Sequence, residues 1–91
     1  MTARFSLGQI VGTPGALAAM AEAGKNPAEF LRRHVIGDWG DVDEVDRQAN
    51  EQSLLDDSRI LSAYRLSTGE RLWIITEADR SSTTLLLPSE Y

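Results

Sequence analysis

The sequence predicts a single α+β domain over residues 1–91, in which three amino-terminal helices pack on an antiparallel sheet formed by a carboxy-terminal three-stranded meander. Helical apolar spacing bounded by proline and glycine fills the first half of the chain, and a two-residue period follows it. A composition of 42% hydrophobic and 25% charged residues is that of an ordinary globular protein.

The first predicted elements are a short strand and a helix. Alternating apolar and polar side chains favour a strand over Phe5–Val11, and the sequence leaves open whether this strand joins the sheet. Thr13 supplies a capping hydroxyl and Pro14 suits the first helical position, which predicts helix one from Pro14 to about Ala23. The expected apolar face of this helix comprises Leu17, Met20 and Ala21.

Two further helices are predicted from the same kind of signal. Asn26 and Pro27 begin helix two, which runs to about Ile36. Acidic residues suited to a helix start begin helix three near Asp41, and it reaches about Leu54. The expected inner face of helix two comprises Phe30, Leu31, His34 and Val35, and that of helix three comprises Val42, Val45 and Ala49. Helix three is thus expected to pack by one narrow edge.

Three strands are predicted in the second half, over Arg59–Leu66, Glu70–Thr76 and Thr83–Leu87. A two-residue turn at Thr68-Gly69 places Tyr64 opposite Trp73, whereas a bulged three-residue loop shifts the pairing by one position, and the sequence does not decide between them. Both faces of the middle strand are apolar, so we expect this strand to be central and covered on both sides.

The acidic charge of the chain is concentrated in its middle. The formal net charge is −5. From Asp38 to Asp57 there are eight carboxylates and one base, Arg47, so this segment carries −7 and the remainder carries +2. Such a segment repels phosphate backbones and attracts basic protein surfaces, so direct nucleic-acid binding is not expected. A solvated helix face that aids solubility is the plainer interpretation.

The candidate partner-binding residues lie in this acidic segment. Trp39 stands in a glycine-flanked turn, where an exposed ring would anchor a partner and a buried ring would join helix two to helix three. Burial is expected because a small core needs its aromatic side chains. The candidate set comprises Trp39, Asp41, Asp43, Glu44, Asp46 and Glu51.

No catalytic or metal-binding residues are predicted, and no cofactor is expected. His34 is the only histidine, and its spacing from Asp38 and Asp41 matches no established ligand pattern. We expect a structural histidine that bonds to the backbone of the Trp39 turn. The Gly12–Gly15 segment reads as a plain strand-to-helix turn, although exposed amides at a helix start also attract anions.

A basic pattern lies on or beside the predicted hairpin and comprises Arg65, Arg71 and Arg80. With Tyr64 and Trp73 nearby, it fits single-stranded nucleic acid, and it is similar to the basic residues on the sheets of ribosome-dependent toxin ribonucleases. The net charge of −5 favours the alternative, in which the aromatic rings are core and Arg65 and Arg71 pair with Glu70 or Glu77 across strands.

The composition also bounds the location. Cysteine is absent, which fits a reducing compartment. No apolar run approaches the roughly 20 residues of a membrane-spanning helix, and the first twelve residues lack the apolar region of a signal peptide. We therefore expect a cytoplasmic protein without membrane association, and a homodimer is left open.

The most distinctive stretches are Leu7–Leu17 (LGQIVGTPGAL), His34–Asp41 (HVIGDWGD) and Leu61–Tyr91 (LSAYRLSTGERLWIITEADRSSTTLLLPSEY). They resemble a family of small bacterial proteins found on plasmids and integrative elements and labelled plasmid-related protein or type I restriction endonuclease subunit M. The second label does not fit, since 91 residues cannot hold a methyltransferase domain and its glycine and Asn/Asp-Pro-Pro-Tyr motifs are missing. The resemblance implies an accessory gene on mobile DNA and assigns no functional residue.

Three functions are consistent with these observations. We expect a non-enzymatic accessory protein of mobile genetic elements that binds an unknown protein partner through acidic helix three. The first alternative is an anti-defence protein, of anti-restriction or anti-CRISPR type, whose acidic face mimics nucleic acid and blocks a basic immunity protein. The second is a toxin-like ribonuclease that uses the three arginines. Mimicry requires carboxylates in rows on one face, and a ribonuclease requires an exposed basic groove.

Overall fold

A four-stranded sheet and three α-helices make up the fold in the computed structural model, which describes residues 2–91. The strands are β1 (Gln9–Gly12), β2 (Ile60–Arg65), β3 (Arg71–Thr76) and β4 (Ser82–Leu86). The helices are α1 (Pro14–Glu22), α2 (Pro27–Val35) and α3 (Glu44–Asp56), and a 3-10 turn covers Pro88–Glu90. Within these residues, no helix combines the length and the apolar character needed to cross a bilayer.

The sheet is mixed, which corrects the expected antiparallel sheet. Its strand order is β1-β4-β3-β2, and β1 runs parallel to β4 while the other neighbours are antiparallel. The predicted amino-terminal strand therefore joins the sheet at the edge opposite β2. It begins at Gln9 and not at Phe5, because Gly8 has a φ of 65° that interrupts the extended backbone.

The loop between β2 and β3 is the three-residue alternative. Tyr64 pairs with Leu72, one position away from Trp73. The loop residues are Ser67–Gly69, and Gly69 has a φ of 94°, as the last position of such a loop requires. This register places Tyr64 and Leu72 on one face of the sheet and Trp73 on the other.

The main core lies between one face of the sheet and the helices α1 and α2. The sheet contributes Tyr64, Leu66, Leu72, Ile74 and Leu85, and the helices contribute Ala16, Ala19, Met20 and Phe30. The buried stripe of α1 has the predicted spacing but is rotated by one residue, so Leu17 and Ala21 are exposed. The small side chains of Ala16 and Ala19 allow α1 to lie close to the sheet.

The segment after β4 covers part of the other face. The ring of Tyr91 meets Trp73 edge-on with centroids 5.7 Å apart, and its hydroxyl accepts a hydrogen bond from Arg59 at 2.7 Å. Glu90 reaches the start of α1, where Thr13 Oγ1 donates to its Oε1 at 2.6 Å. A carboxylate of the chain itself thus lies at the helix start for which the sequence left anion binding open.

Candidate functional site

Polar side chains hold helix α3 on the edge strand β2. The residues that α3 buries are Asn50 and Ser53. The Asn50 amide donates to the carbonyl of Leu61 at 2.6 Å, and the Leu61 N–H donates to Asn50 Oδ1 at 3.0 Å. Ser53 Oγ lies 3.0 Å from the carbonyl oxygen of Arg59. These contacts take the place of a neighbouring strand along β2.

This arrangement corrects the expected inner face of helix three. Val42 precedes the helix, and Val45 and Ala49 are exposed. The helix begins after Asp43, whose Oδ1 accepts a hydrogen bond from the Asp46 N–H at 2.8 Å. An edge strand presents N–H and C=O groups that apolar side chains cannot satisfy, so an amide and a hydroxyl face β2 instead.

The opposite side of α3 exposes two large apolar side chains. Val45 and Leu55 retain 75% and 81% of their accessible surface. With Gln48 and Gln52 they recur at intervals of three and four residues, so all four share one side of the helix, which we call the outward face. A shallow groove runs beside it and includes Arg4, Gln48, Glu51, Gln52 and Leu55 among its lining residues.

Leu55 is a residue that the sequence-based prediction missed. Its neighbour Leu54 is half-buried, and adjacent residues of a helix point about 100° apart. A Leu-Leu pair at the end of an otherwise polar helix therefore signals that one of the two side chains lies off the packed side. That signal was present in the sequence.

The predicted acidic residues fall into two groups. Asp43, Glu44 and Asp46 lie at the amino-terminal end of α3, where the helix dipole favours negative charge. Asp41 and Glu51 are instead engaged by arginine side chains from other segments of the chain. In the part of the chain that the structure describes, the carboxylates that no other segment pairs therefore lie at both ends of the helix, with Asp43, Glu44 and Asp46 at the amino-terminal end and Asp56 and Asp57 at the carboxy-terminal end.

Trp39 is buried and therefore corrects the candidate set. Its side chain retains 1% of its surface, and its Nε1 donates to Glu51 Oε2 at 3.0 Å. Glu51 Oε1 also accepts from Arg4 at 2.9 Å, and the hydrogen bonds from Arg4 and then Trp39 lower the pKa of Glu51. The indole packs against Phe5 and His34. It joins α2 to α3, as the buried alternative required, and is not available to a partner.

The three arginines that the sequence offers as a nucleic-acid-binding site do not lie together in one groove. Arg65 and Arg71 lie near the β2–β3 loop, 3.7 Å and 3.5 Å from Asp41, and pair with it and not with the hairpin glutamates. Arg80 lies at the other end of β3, where its Nη2 donates to the carbonyl of Ser53 at 3.0 Å. Arg80 also donates to carbonyls of two further loop segments, so its guanidinium binds the chain itself.

His34 is fully buried within a row of hydroxyl groups. Its Nδ1 lies 2.5 Å from Ser62 Oγ, and its Nε2 lies 2.9 Å from Thr76 Oγ1. Thr76 Oγ1 lies 2.7 Å from Thr83 Oγ1, which donates to the carbonyl of Leu7 at 2.7 Å. The row links α2, the three C-terminal strands and the segment before β1.

The carbonyl at the end of this row fixes the direction of each hydrogen bond between it and His34 Nε2. Since Thr83 donates to that carbonyl, Thr76 must donate to Thr83 and accept from the Nε2–H of His34. Burial disfavours the charged ring, so Nδ1 is unprotonated and accepts from Ser62. Burial lowers the pKa of His34 to about 3, in agreement with this assignment. The expected bond to the Trp39 turn is not formed, and neither ring nitrogen is free for a metal ion or for proton transfer.

Comparison of the chain with protein-family models, with curated proteins and with solved structures finds no match. What the chain does is therefore inferred from its own residues. Among the surfaces described above, the outward face of α3 combines exposed apolar side chains with carboxylates at both of its ends.

Proposed function

We propose that the chain is a non-enzymatic binding module that engages a basic protein surface through the outward face of α3. One observation supports this proposal most. Asn50 and Ser53 are the residues that the 13-residue helix α3 buries, whereas its large apolar side chains Val45 and Leu55 remain exposed. Large apolar side chains at this exposure become stable contacts when a partner removes water from them.

The carboxylates beside the outward face indicate the class of partner. Asp43, Glu44 and Asp46 flank one end of the outward face, and the segment that contains them carries −7. A complementary basic surface would be steered to this end by electrostatic attraction, and an apolar pocket would receive Leu55. A bacterial accessory protein encoded on mobile DNA is the setting we propose for this interaction, on the strength of the sequence resemblance.

Neither alternative function gains support from a particular observation. A nucleic-acid mimic needs rows of free carboxylates, whereas Asp38, Asp41 and Glu51 are each in an ion pair with an arginine. A ribonuclease needs convergent basic residues, whereas Arg80 is separated from Arg65 and Arg71 by the length of β3. We therefore propose protein binding alone.

Site-specific crosslinking in the native bacterial host tests this proposal. A photoreactive residue is placed at Val45 or at Leu55, and a matched control carries it at Thr68 in the exposed β2–β3 loop. We expect one protein to be crosslinked from both α3 positions and not from Thr68. Equal crosslinking from all three positions, or none from α3, would contradict the proposal.

Binding of the purified crosslinked protein tests the role of charge. The variant Asp43→Asn/Glu44→Gln/Asp46→Asn removes three charges, and the asparagine side chain at the cap position keeps an oxygen that can accept from the helix N–H. We expect its affinity to fall by about tenfold and to depend less on salt. The control variant Glu22→Gln/Glu70→Gln/Asp79→Asn removes the same charge from exposed sites elsewhere and should bind as wild type does.

A further inference from the structure

The edge of the sheet at β1 is open. Gln9 N–H and Thr13 N–H donate to carbonyls of the β4 segment, each at 3.0 Å. In a parallel pair of strands, every second residue forms backbone hydrogen bonds with the neighbouring strand. Gln9 and Thr13 bond β4 in this way, so the N–H and C=O groups of Ile10 and Gly12 point away from the sheet. Within residues 2–91, the backbone of these two residues has no hydrogen-bond partner.

The opposite edge of the same sheet is covered at Leu61 and Ala63. Asn50 satisfies both backbone groups of Leu61. The Ala63 N–H donates to the carbonyl of Trp39 at 3.0 Å, and its carbonyl accepts from the Asp41 N–H. The fold therefore protects β2 and leaves β1 unprotected, which makes the open edge a feature of one side of the molecule.

The strand β1 and its neighbours in the sequence are uncharged and partly apolar, and the Glu90 carboxylate lies beside Thr13 just past the end of the strand. The stretch Phe5–Ala21 contains no acidic or basic residue, in a chain of which 25% is charged. Ile10, Val11 and Leu17 retain 44%, 41% and 47% of their surface. Edge strands are usually shielded by charge, proline or a covering segment, and β1 has none of these.

We propose that β1 pairs antiparallel with β1 of a second copy of this chain, so that the two sheets become one continuous sheet about a twofold axis. Pairing centred on Val11 matches Ile10 of one copy with Gly12 of the other, and each pair exchanges two hydrogen bonds. The side chains of Ile10, Val11 and Leu17 would then lose water on both sides of the junction.

Charge supports a second copy as the occupant. A chain with a net charge of −5 repels its own copies, but the −7 segment lies at the β2 edge, at the far side of the sheet from β1. Pairing through β1 brings two uncharged strands together and keeps the two acidic segments apart. The outward face of α3 stays free in this dimer, so the proposal is independent of the proposed function.

Sedimentation velocity of the purified chain over a wide concentration range tests the dimer. We expect wild type to change from monomer to dimer as concentration rises, and Ile10→Pro to stay monomeric, because proline removes an outward N–H that the fold does not use. The control Leu55→Lys adds a charge to α3 and should dimerise as wild type does. A wild-type chain that is monomeric throughout, or dissociation by Leu55→Lys, would contradict the proposal.

Amide hydrogen exchange of wild type gives a second readout that does not depend on a variant. We expect the N–H groups of Ile10 and Gly12 to exchange slowly at concentrations where the chain is dimeric and rapidly after dilution. Rapid exchange of both amides in a dimeric sample would place the interface elsewhere and contradict the proposal. The proposal would also be contradicted if the chain is a monomer that binds an extended peptide of another protein at this edge.

Discussion

The side-chain amide of Asn50 hydrogen-bonds both backbone groups of Leu61, at 2.6 Å and 3.0 Å. A primary amide carries a donor and an acceptor side by side, as a peptide group does, so Asn50 acts as one residue of an absent neighbouring strand. This relationship explains how α3 stays on the sheet with no large apolar side chain fully buried. It also leaves the other side of the helix without a role in the fold.

The first prediction concerns this contact. Asn50→Ala should lower the free energy of unfolding by about 2–3 kcal/mol, because it leaves the backbone groups of Leu61 unpaired at a partly buried site. The control Gln48→Ala, on the exposed side of the same helix, should change it by less than about 0.5 kcal/mol. Urea denaturation measures both. Equal effects of the two substitutions would contradict the assigned role of Asn50.

The second prediction concerns pH and His34. With a pKa of about 3 in the folded state against 6.5 ordinarily, the unfolded chain binds more protons between these values. Stability should therefore fall as the pH is lowered below about 6.5, with a slope of up to about 1.4 kcal/mol per pH unit. Asp38, Glu51, Asp79 and Glu90 have lowered pKa values, so the stability they add is lost as the pH falls through and below their ordinary values of 3.8 and 4.5. The range from about pH 5.5 to about pH 6.5, which is at least one unit above the ordinary values of the carboxylates, thus separates His34 from them.

Denaturation of His34→Gln in that pH range is the matched experiment. Glutamine can still donate to Thr76 but does not titrate, so the slope should disappear while the fold is retained. Nitrogen-15 NMR of wild type should show a neutral ring with its proton on Nε2 at pH 5. A ring that becomes protonated near pH 6.5 would contradict the buried hydroxyl row.

The third prediction concerns the two tryptophans. Trp39 retains 1% of its surface, whereas Trp73 is half-buried. In Trp73→Phe the remaining fluorescence comes from Trp39 and should be quenched only weakly by iodide. In Trp39→Phe the fluorescence of Trp73 should be quenched more strongly. The reverse order would show an exposed Trp39 and restore it as a candidate partner contact.

The fourth prediction concerns Arg80. Its guanidinium donates to backbone carbonyls in the loop after β3, in the loop before β2 and near the end of α3, and it thereby joins these segments. Arg80→Ala should therefore lower the free energy of unfolding by about 1–3 kcal/mol. Arg65→Ala serves as the control, since its exposed ion pair with Asp41 contributes little. If both substitutions leave the free energy of unfolding unchanged, the structural role assigned to Arg80 is wrong.

The positions of the helices and strands follow from local signals that the sequence displays. Thr13 with Pro14 and Asn26 with Pro27 begin two helices where predicted, because capping depends on neighbouring residues alone. The parallel pairing of β1 with β4 could not be predicted, since it depends on a contact between residues more than seventy positions apart.

The site was predicted less completely than the fold. The composition shows the acidic segment, but apolar spacing assigns the inner face of α3 to Val42, Val45 and Ala49. In the structure Asn50 and Ser53 occupy that side, because β2 is an edge strand that needs hydrogen bonds. Which strand is at the edge is a property of the whole sheet, so the sequence pattern of the helix alone could not reveal it.

The central claim is that the outward face of α3 contributes nothing to the fold of the chain and is free for a partner. The measurement that tests it most directly is the free energy of unfolding of Val45→Ser and of Leu55→Ser in urea, each compared with wild type. We predict a difference of no more than about 0.5 kcal/mol for each exposed substitution. A loss of about 2 kcal/mol or more for either side chain would mean that it is packed within the chain, and would contradict the proposed binding surface.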